Sequence, residues 1–305
     1  MKIVVTGATG LLGRAVMARF RRNAGDEIVG LCHTRTGEGL VSADLGDLAA
    51  VPALLDRLAP EVIVHTAAIR KPDEFAADEA RAYHLNVDAT AELARWVGAH
   101  PGTFLIFIST DYVFDGTKPP YAVDAPVQAV NGYGRSKVDG EAAVRAFAPG
   151  QSAILRVPIL YGDVETLDES SVTTVLKQVL RLGEPGNERY SKSNPIILDD
   201  WSVRYPTHVA DVADILAQLV AKKLAGTWHW SGPEALTKLD MGRLAAEKLG
   251  FDTRLLVGSG EPANGSEPRP KDCHLDTSAL EAHGITTPGI SYAAALDQLI
   301  AKFAR

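Results

Sequence analysis

Cysteine is almost missing from this chain, with Cys32 and Cys273 the only two thiols in 305 residues. Two isolated cysteines build neither a disulfide framework nor a clustered thiolate metal site. Basic runs are also missing, and 31 Lys and Arg against 38 Asp and Glu leave a net charge of -7. A chain of that sign is repelled, on average, by nucleic-acid phosphates and by anionic lipid. No apolar stretch approaches the length of a membrane span. The first core-like strand begins at residue 2, which leaves no room for a signal peptide. These absences predict a cytoplasmic protein with neither a nucleic-acid nor a membrane partner. Internal repeats and long low-complexity tracts are absent too.

What is present is apolar and periodic. A hydrophobic content of 46% over 305 residues can bury a large core, and the length beyond one nucleotide-binding unit predicts a second lobe. Strand-like runs at 2–6, 27–33, 40–44, 62–67, 103–110 and 152–160 alternate with helical spacing at 11–23, 48–58, 77–100 and 134–147. That alternation predicts an α/β fold, a Rossmann-type doubly wound parallel sheet covered on both faces. After residue 160 the alternation loosens. Helices are expected at 171–182, 208–223, 238–249 and 292–303, with short strand-like runs at 195–198 and 227–230. A polar, glycine-bearing stretch at 183–193 reads as a mobile loop over a cleft, and 257–270 as a Gly/Pro-rich linker. The division expected is a nucleotide-binding domain at 1–160, to which about 200–225 returns, and a smaller substrate-binding lobe at 161–305.

The first strand runs directly into Gly7-Ala8-Thr9-Gly10-Leu11-Leu12-Gly13. Glycines at that spacing, between a strand and a helix, allow a tight turn and close backbone approach to a dinucleotide pyrophosphate, while the helix N-terminus offers its N–H groups to the anion. The end of the second strand normally carries a carboxylate for the adenosine ribose when the cofactor is NAD. Here it reads His33-Thr34-Arg35. An Arg without a neighbouring acid suits a 2′-phosphate, so NADP(H) is the expected cofactor, with Arg14 able to add a second positive charge. A charged surface loop would read the same way. Asp44 and Leu45, at the end of the third strand, can hold and cover the adenine, although a solvated strand-end Asp would read the same way.

Chemistry is expected at the carboxyl ends of the later strands. The fifth strand ends in Ser109-Thr110-Asp111-Tyr112, and Tyr133-Gly134-Arg135-Ser136-Lys137 opens the following helix. Tyr133 and Lys137, four apart, project from one helical face, where an ammonium can lower the phenol pKa and make it a usable proton donor. Thr110 can hold the same substrate oxygen. Taken alone, a Tyr and a Lys at this spacing are usually coincidental; their place after a glycine cradle makes them candidates for catalysis.

The glycine turn together with Tyr133-Gly134-Arg135-Ser136-Lys137 resembles the extended short-chain dehydrogenase/reductase family, over nearly the whole chain. The run Ser109-Thr110-Asp111-Tyr112-Val113-Phe114-Asp115-Gly116 is similar to that of dTDP-4-dehydrorhamnose reductases. The runs His65-Thr66-Ala67-Ala68-Ile69-Arg70, Arg156-Val157-Pro158-Ile159-Leu160-Tyr161-Gly162, Arg204-Tyr205-Pro206-Thr207-His208 and Trp228-His229-Trp230-Ser231-Gly232 resemble the regulatory β subunits of methionine adenosyltransferase. The resemblance implies catalytic roles for Thr110, Tyr133 and Lys137. It implies cofactor contacts from Gly7, Thr9, Gly10, Leu11, Leu12, Gly13, His33, Thr34, Arg35, Asp44, Leu45, Thr66, Ala67, Ala68, Arg70, Tyr133, Lys137 and Leu160. Arg269-Pro270-Lys271 resembles an Arg-Pro motif near the substrate site of such proteins, though a solvated turn would read alike. Magnesium-dependent relatives carry a Glu where this chain has Ala15, so no metal is expected. Two activities follow as expectations: NADPH-dependent reduction of a 4-keto nucleotide sugar, or non-catalytic regulation of an S-adenosylmethionine synthetase. The regulatory subunits engage their enzyme through a C-terminal extension, whereas this sequence stops at Arg305, soon after its last helix, which weakens the second expectation without removing it, while the runs that resemble those subunits favour it.

Overall fold

The computed structural model describes residues 1–262 and 267–304. The stretch 263–266 of the expected linker, and Arg305, lie outside the described residues. The strands are β1 Lys2–Thr6, β2 Glu27–Cys32, β3 Leu40–Ser42, β4 Val62–His65, β5 Phe104–Thr110, β6 Ser152–Val157, β7 Leu160–Tyr161, β8 Ile196–Leu198, β9 Thr207–His208, β10 Gly226–His229 and β11 Leu256–Gly258. The helices are α1 Leu11–Phe20, α2 Val51–Leu58, α3 Pro72–Ala77, α4 Glu79–Tyr83, α5 Ala89–Ala99, α6 Gly132–Phe147, α7 Thr173–Leu180, α8 Val209–Lys222, α9 Lys238–Leu249, α10 Ser278–Ala282 and α11 Tyr292–Phe303. Among the described residues, no helix is long and apolar enough to cross a membrane.

Seven strands form one sheet in the order β10-β6-β5-β4-β1-β2-β3, and every pair in it is parallel. The two-residue period of the strands sorts the core. Ile3, Val5, Val64, Ile106 and Leu155 point to one face, where they meet Val16 and Phe20 of α1 and Val212 and Leu216 of α8. Val4, Ile63, Leu105, Phe107 and Ile154 point to the other, against α2, α5 and α6. A sheet buried on both faces needs such uninterrupted Val/Ile/Leu runs, and the helices between its strands supply the covers. Along α8, Val209, Val212, Leu216 and Leu219 are buried in this core, at the spacing of one helical face.

The structure departs from the sequence expectations where side-chain chemistry overrides periodicity. The single helix expected at 77–100 is divided. Asp78 leaves helical geometry and accepts a hydrogen bond from the Arg81 N–H at 3.2 Å, and a π-type turn at His84–Asp88 precedes α5. The run expected at 152–160 stops at Val157, because Pro158 has no N–H for the ladder, and resumes as β7 paired with β9. The start of the expected linker is strand β11, pairing Val257 with Ile197 of β8. This small sheet packs with α7, α9 and α11 around Val175, Leu176, Leu198, Met241, Leu256 and Leu296.

Candidate active site

The carboxyl ends of β1, β4, β5 and β6 open into a cavity of about 870 Å³, whose far wall comes from residues after 160. Its nucleotide end is the glycine turn. Gly7 has φ +63°, and a side chain there would sit 2.8 Å from the backbone N of Ala67, so only glycine lets β1 turn this tightly against the end of β4. The Gly10 N–H closes the turn onto the Gly7 carbonyl at 2.9 Å. Among the described residues no side chain caps α1, and no acid lies in its first turn. An uncapped helix start beside a glycine turn fits the pyrophosphate of a dinucleotide.

Thr110, Tyr133 and Lys137 converge on this cavity. Asn131 starts α6 by accepting the Gly134 N–H at 2.8 Å, which puts Tyr133 in the first turn and Lys137 one turn on. Gly134 permits the approach, since a side chain there would lie 2.3 Å from the Tyr112 carbonyl oxygen. Thr110 hydrogen-bonds the Tyr133 phenol, accepts the Tyr112 N–H at 3.2 Å and donates to Asp111 at 3.0 Å. The phenol pKa is not lowered as the four-residue spacing predicts. Burial pushes it up, and the Thr110 hydrogen bond opposes this only in part. The Lys137 ammonium lies over the Phe107 ring, 4.0 Å from its centroid. Burial lowers its pKa to about 7 against the pull of Glu141, while burial raises the Asp111 carboxyl to about 7 against the charge of Arg204 and the Thr110 hydrogen bond.

Behind these groups lies a buried ion pair. Glu141 accepts from Arg156 at 2.8 and 2.7 Å and from the Ser109 hydroxyl at 2.6 Å, which ties α6 to the ends of β5 and β6. A second anchor is Asn86, in the π-type turn. It clamps both backbone groups of Ile69 at 2.8 and 2.9 Å and donates to Ser136 at 3.2 Å. Beneath the cavity floor, His65 bridges Thr6 at 2.7 Å and Thr90 at 2.9 Å, and burial together with the charge of Lys137 lowers its pKa to about 3. Neither Glu141 nor Asn86 was legible as a site residue, because each contact crosses more than ten positions of chain.

Of the remaining expected contacts, Gly7, Leu11, Leu12, Gly13, Thr66, Ala67, Ala68, Arg70 and Leu160 line the cavity. Thr9, Gly10, His33, Thr34, Arg35, Asp44 and Leu45 do not line it. His33, Thr34 and Arg35 are exposed beyond β2, Asp44 accepts the Gly46 N–H at 2.8 Å, and Leu45 is buried in the core below the sheet end. Arg14 is already engaged, donating to the Thr9 carbonyl at 2.8 Å and to both Glu169 oxygens at 3.0 and 2.7 Å. None of the described residues of 183–193 lines the cavity. The wall facing the sheet includes Asp168, Ser171, Thr174, Arg204, Lys238 and Arg269. Arg204 is held by the Pro270 carbonyl at 3.1 Å, and burial together with the charge of Arg204 lowers the Lys238 pKa. Lys238 reads in sequence as an ordinary first residue of a helix, so nothing local marks it.

A parallel seven-stranded sheet, a glycine turn after its first strand and a Thr, Tyr and Lys set at its fifth strand and following helix define the extended short-chain dehydrogenase/reductase class. The model of the RmlD substrate binding domain matches residues 1–305, and the chain belongs to that family. It is 40% identical over 289 residues to methionine adenosyltransferase 2 subunit beta of Xenopus laevis, covering 93% of this chain and 83% of that one. It is 32% identical over 285 residues to dTDP-4-keto-6-deoxy-D-glucose reductase of Streptomyces niveus, covering 93% and 91%. Among solved structures, a dTDP-4-dehydrorhamnose reductase of Clostridium acetobutylicum shares the fold with a TM-score of 0.82 at 24% identity, over 100% of both chains. One from Bacillus anthracis, in complex with NADP, has a TM-score of 0.79 at 24% identity over 99% of this chain and 98% of that one.

Proposed function

We propose that the protein is an NADPH-dependent reductase of a 4-keto nucleotide sugar. The observation that carries this reading is the meeting of Thr110, Tyr133 and Lys137 in one cavity with the uncapped glycine turn. Bound NADPH supplies the hydride for the carbonyl carbon. Tyr133 gives its phenolic proton to the carbonyl oxygen, and its high pKa keeps that proton in place until the oxygen becomes basic. Thr110 orients the same oxygen, and Lys137 carries positive charge to the phenol and the nicotinamide ribose. The Gly7–Gly13 turn and the start of α1 hold the pyrophosphate. Arg35, whose planar donor fork matches phosphate oxygens, meets the 2′-phosphate. Arg204, Lys238 and Arg269, from the opposite wall, face the anionic part of the sugar nucleotide.

A second reading has a specific observation behind it, the 40% identity to a subunit named for methionine adenosyltransferase. Under it the chain binds NADP(H) and regulates an S-adenosylmethionine synthetase without turnover. Consumption of NADPH with a panel of 4-keto nucleotide sugars supports the reductase. Its absence, together with capture of an S-adenosylmethionine synthetase by the immobilised protein, supports the regulator.

A further inference from the structure

Residues 163–169 cross from the second lobe to the nucleotide lobe and carry two acids paired with its arginines. Glu169 accepts from Arg14 at 3.0 and 2.7 Å, while its backbone carbonyl accepts from Arg70. It also accepts the Glu165 N–H at 2.8 Å, so that Glu169 fixes the course of the segment. Glu165 then reaches the loop after β2, where the same Nη1 of Arg35 donates to its two oxygens at 3.1 and 2.9 Å. A second cation, Arg14, stands 3.8 Å from it.

The two contacts differ in kind. The Arg14–Glu169 pair is mostly buried, with side chains 25% and 20% exposed, and Arg14 also holds the Thr9 carbonyl of the glycine turn. The Arg35–Glu165 pair has side chains 52% and 48% exposed. Exposed pairs hold weakly and are screened by salt. A phosphate monoester carries more charge than a carboxylate and offers three strong acceptor oxygens to a guanidinium. The first pair is an anchor; the second is one that a phosphate can displace.

We propose that Glu165 is a specificity-determining residue: it occupies, as an intramolecular anion, the Arg35 donors that take the 2′-phosphate. NADP(H) therefore displaces it on binding, and NAD(H) leaves it in place. The inference rests on the reading of Arg35 as the phosphate ligand. It gives a carboxylate from the second lobe control over cofactor choice that the nucleotide lobe would otherwise hold alone.

The test is calorimetric titration of NADP and of NAD into the unaltered protein, Glu165→Gln, Glu165→Lys, Arg35→Ala and the Arg35→Ala/Glu165→Gln double variant. Glu165→Gln is expected to tighten NADP by about two- to fivefold, the range for losing one exposed competing charge, with NAD unchanged. Glu165→Lys should tighten NADP further, and the gain of Glu165→Gln should vanish when Arg35 is Ala. If Arg35→Ala lowers the preference for NADP while neither change at Glu165 moves it, the proposal is overturned and the phosphate reading of Arg35 stands. If Arg35→Ala leaves the preference untouched, the phosphate reading fails and the proposal with it.

Discussion

Tyr133 shows how burial and chemistry divide the work within a single residue. Its phenol is held protonated by burial, which suits the proton-donor role proposed for it. Tyr133→Phe keeps the ring and should leave NADPH affinity within about twofold, while turnover falls by about 10²- to 10⁴-fold. Steady-state rates and a binding titration on the same preparation check both parts. Lys137 predicts a pH dependence. Its pKa, lowered to about 7 by burial, makes the charged form scarce above neutrality, and the charged form is the one proposed to serve the cofactor ribose. NADPH affinity should therefore weaken as pH rises through about 7, and Lys137→Met should flatten that profile. Glu141 acts at one remove. Burial alone would raise its carboxyl, yet the Arg156 hydrogen bonds and charge hold it below the ordinary value. Its contribution is present above the unfolded carboxylate pKa and is lost as pH falls through the folded one. Glu141→Ala leaves Arg156 buried without its partner, and should lower unfolding stability by about 3–5 kcal/mol in a denaturant titration.

At the scale of elements, the sheet was legible because most of its strands are Val/Ile/Leu-rich runs, and a helical period separates them everywhere except between β2 and β3. The glycine turn and the Tyr133 to Lys137 spacing were legible because each lies within one local segment. What lay hidden was non-local or set by a single side chain. Asp78 divides a helix that periodicity alone continues, and Pro158 ends a strand that hydrophobicity alone extends. The loop at 183–193 has the composition of a lid, but the segment that crosses to the cofactor side is 163–169, whose acids read in sequence as surface charge. Hydrogen exchange should register the difference. Addition of NADPH is expected to change exchange in 163–171 and to leave 183–193 unaltered; protection arising in 183–193 instead would restore that loop as the lid.

For the whole molecule, the proposed reaction draws on both walls of the cavity. The sheet ends hold the glycine turn, Thr110, Tyr133 and Lys137, while the later segments bring Arg204, Lys238 and Arg269 to the other side. Buried neutral histidines make the assembly acid-sensitive. His65, lowered to about 3 chiefly by burial, and His229, lowered to about 4 by burial and Arg156, are uncharged in the folded state. Each binds a proton more readily when unfolded. Stability should hold above pH about 6.5 and fall below it, by up to about 1.4 kcal/mol per pH unit for each histidine, as read by thermal unfolding across pH.

The most direct measurement of the central claim is NADPH consumption, followed by absorbance, with a panel of 4-keto nucleotide sugars and with Tyr133→Phe run beside the unaltered protein. Turnover of at least one member of the panel is expected, with the corresponding 4-hydroxy sugar as product, and its loss in Tyr133→Phe. A protein that binds NADPH, consumes none above the Tyr133→Phe background with any member, and alters the activity of an S-adenosylmethionine synthetase would contradict that expectation.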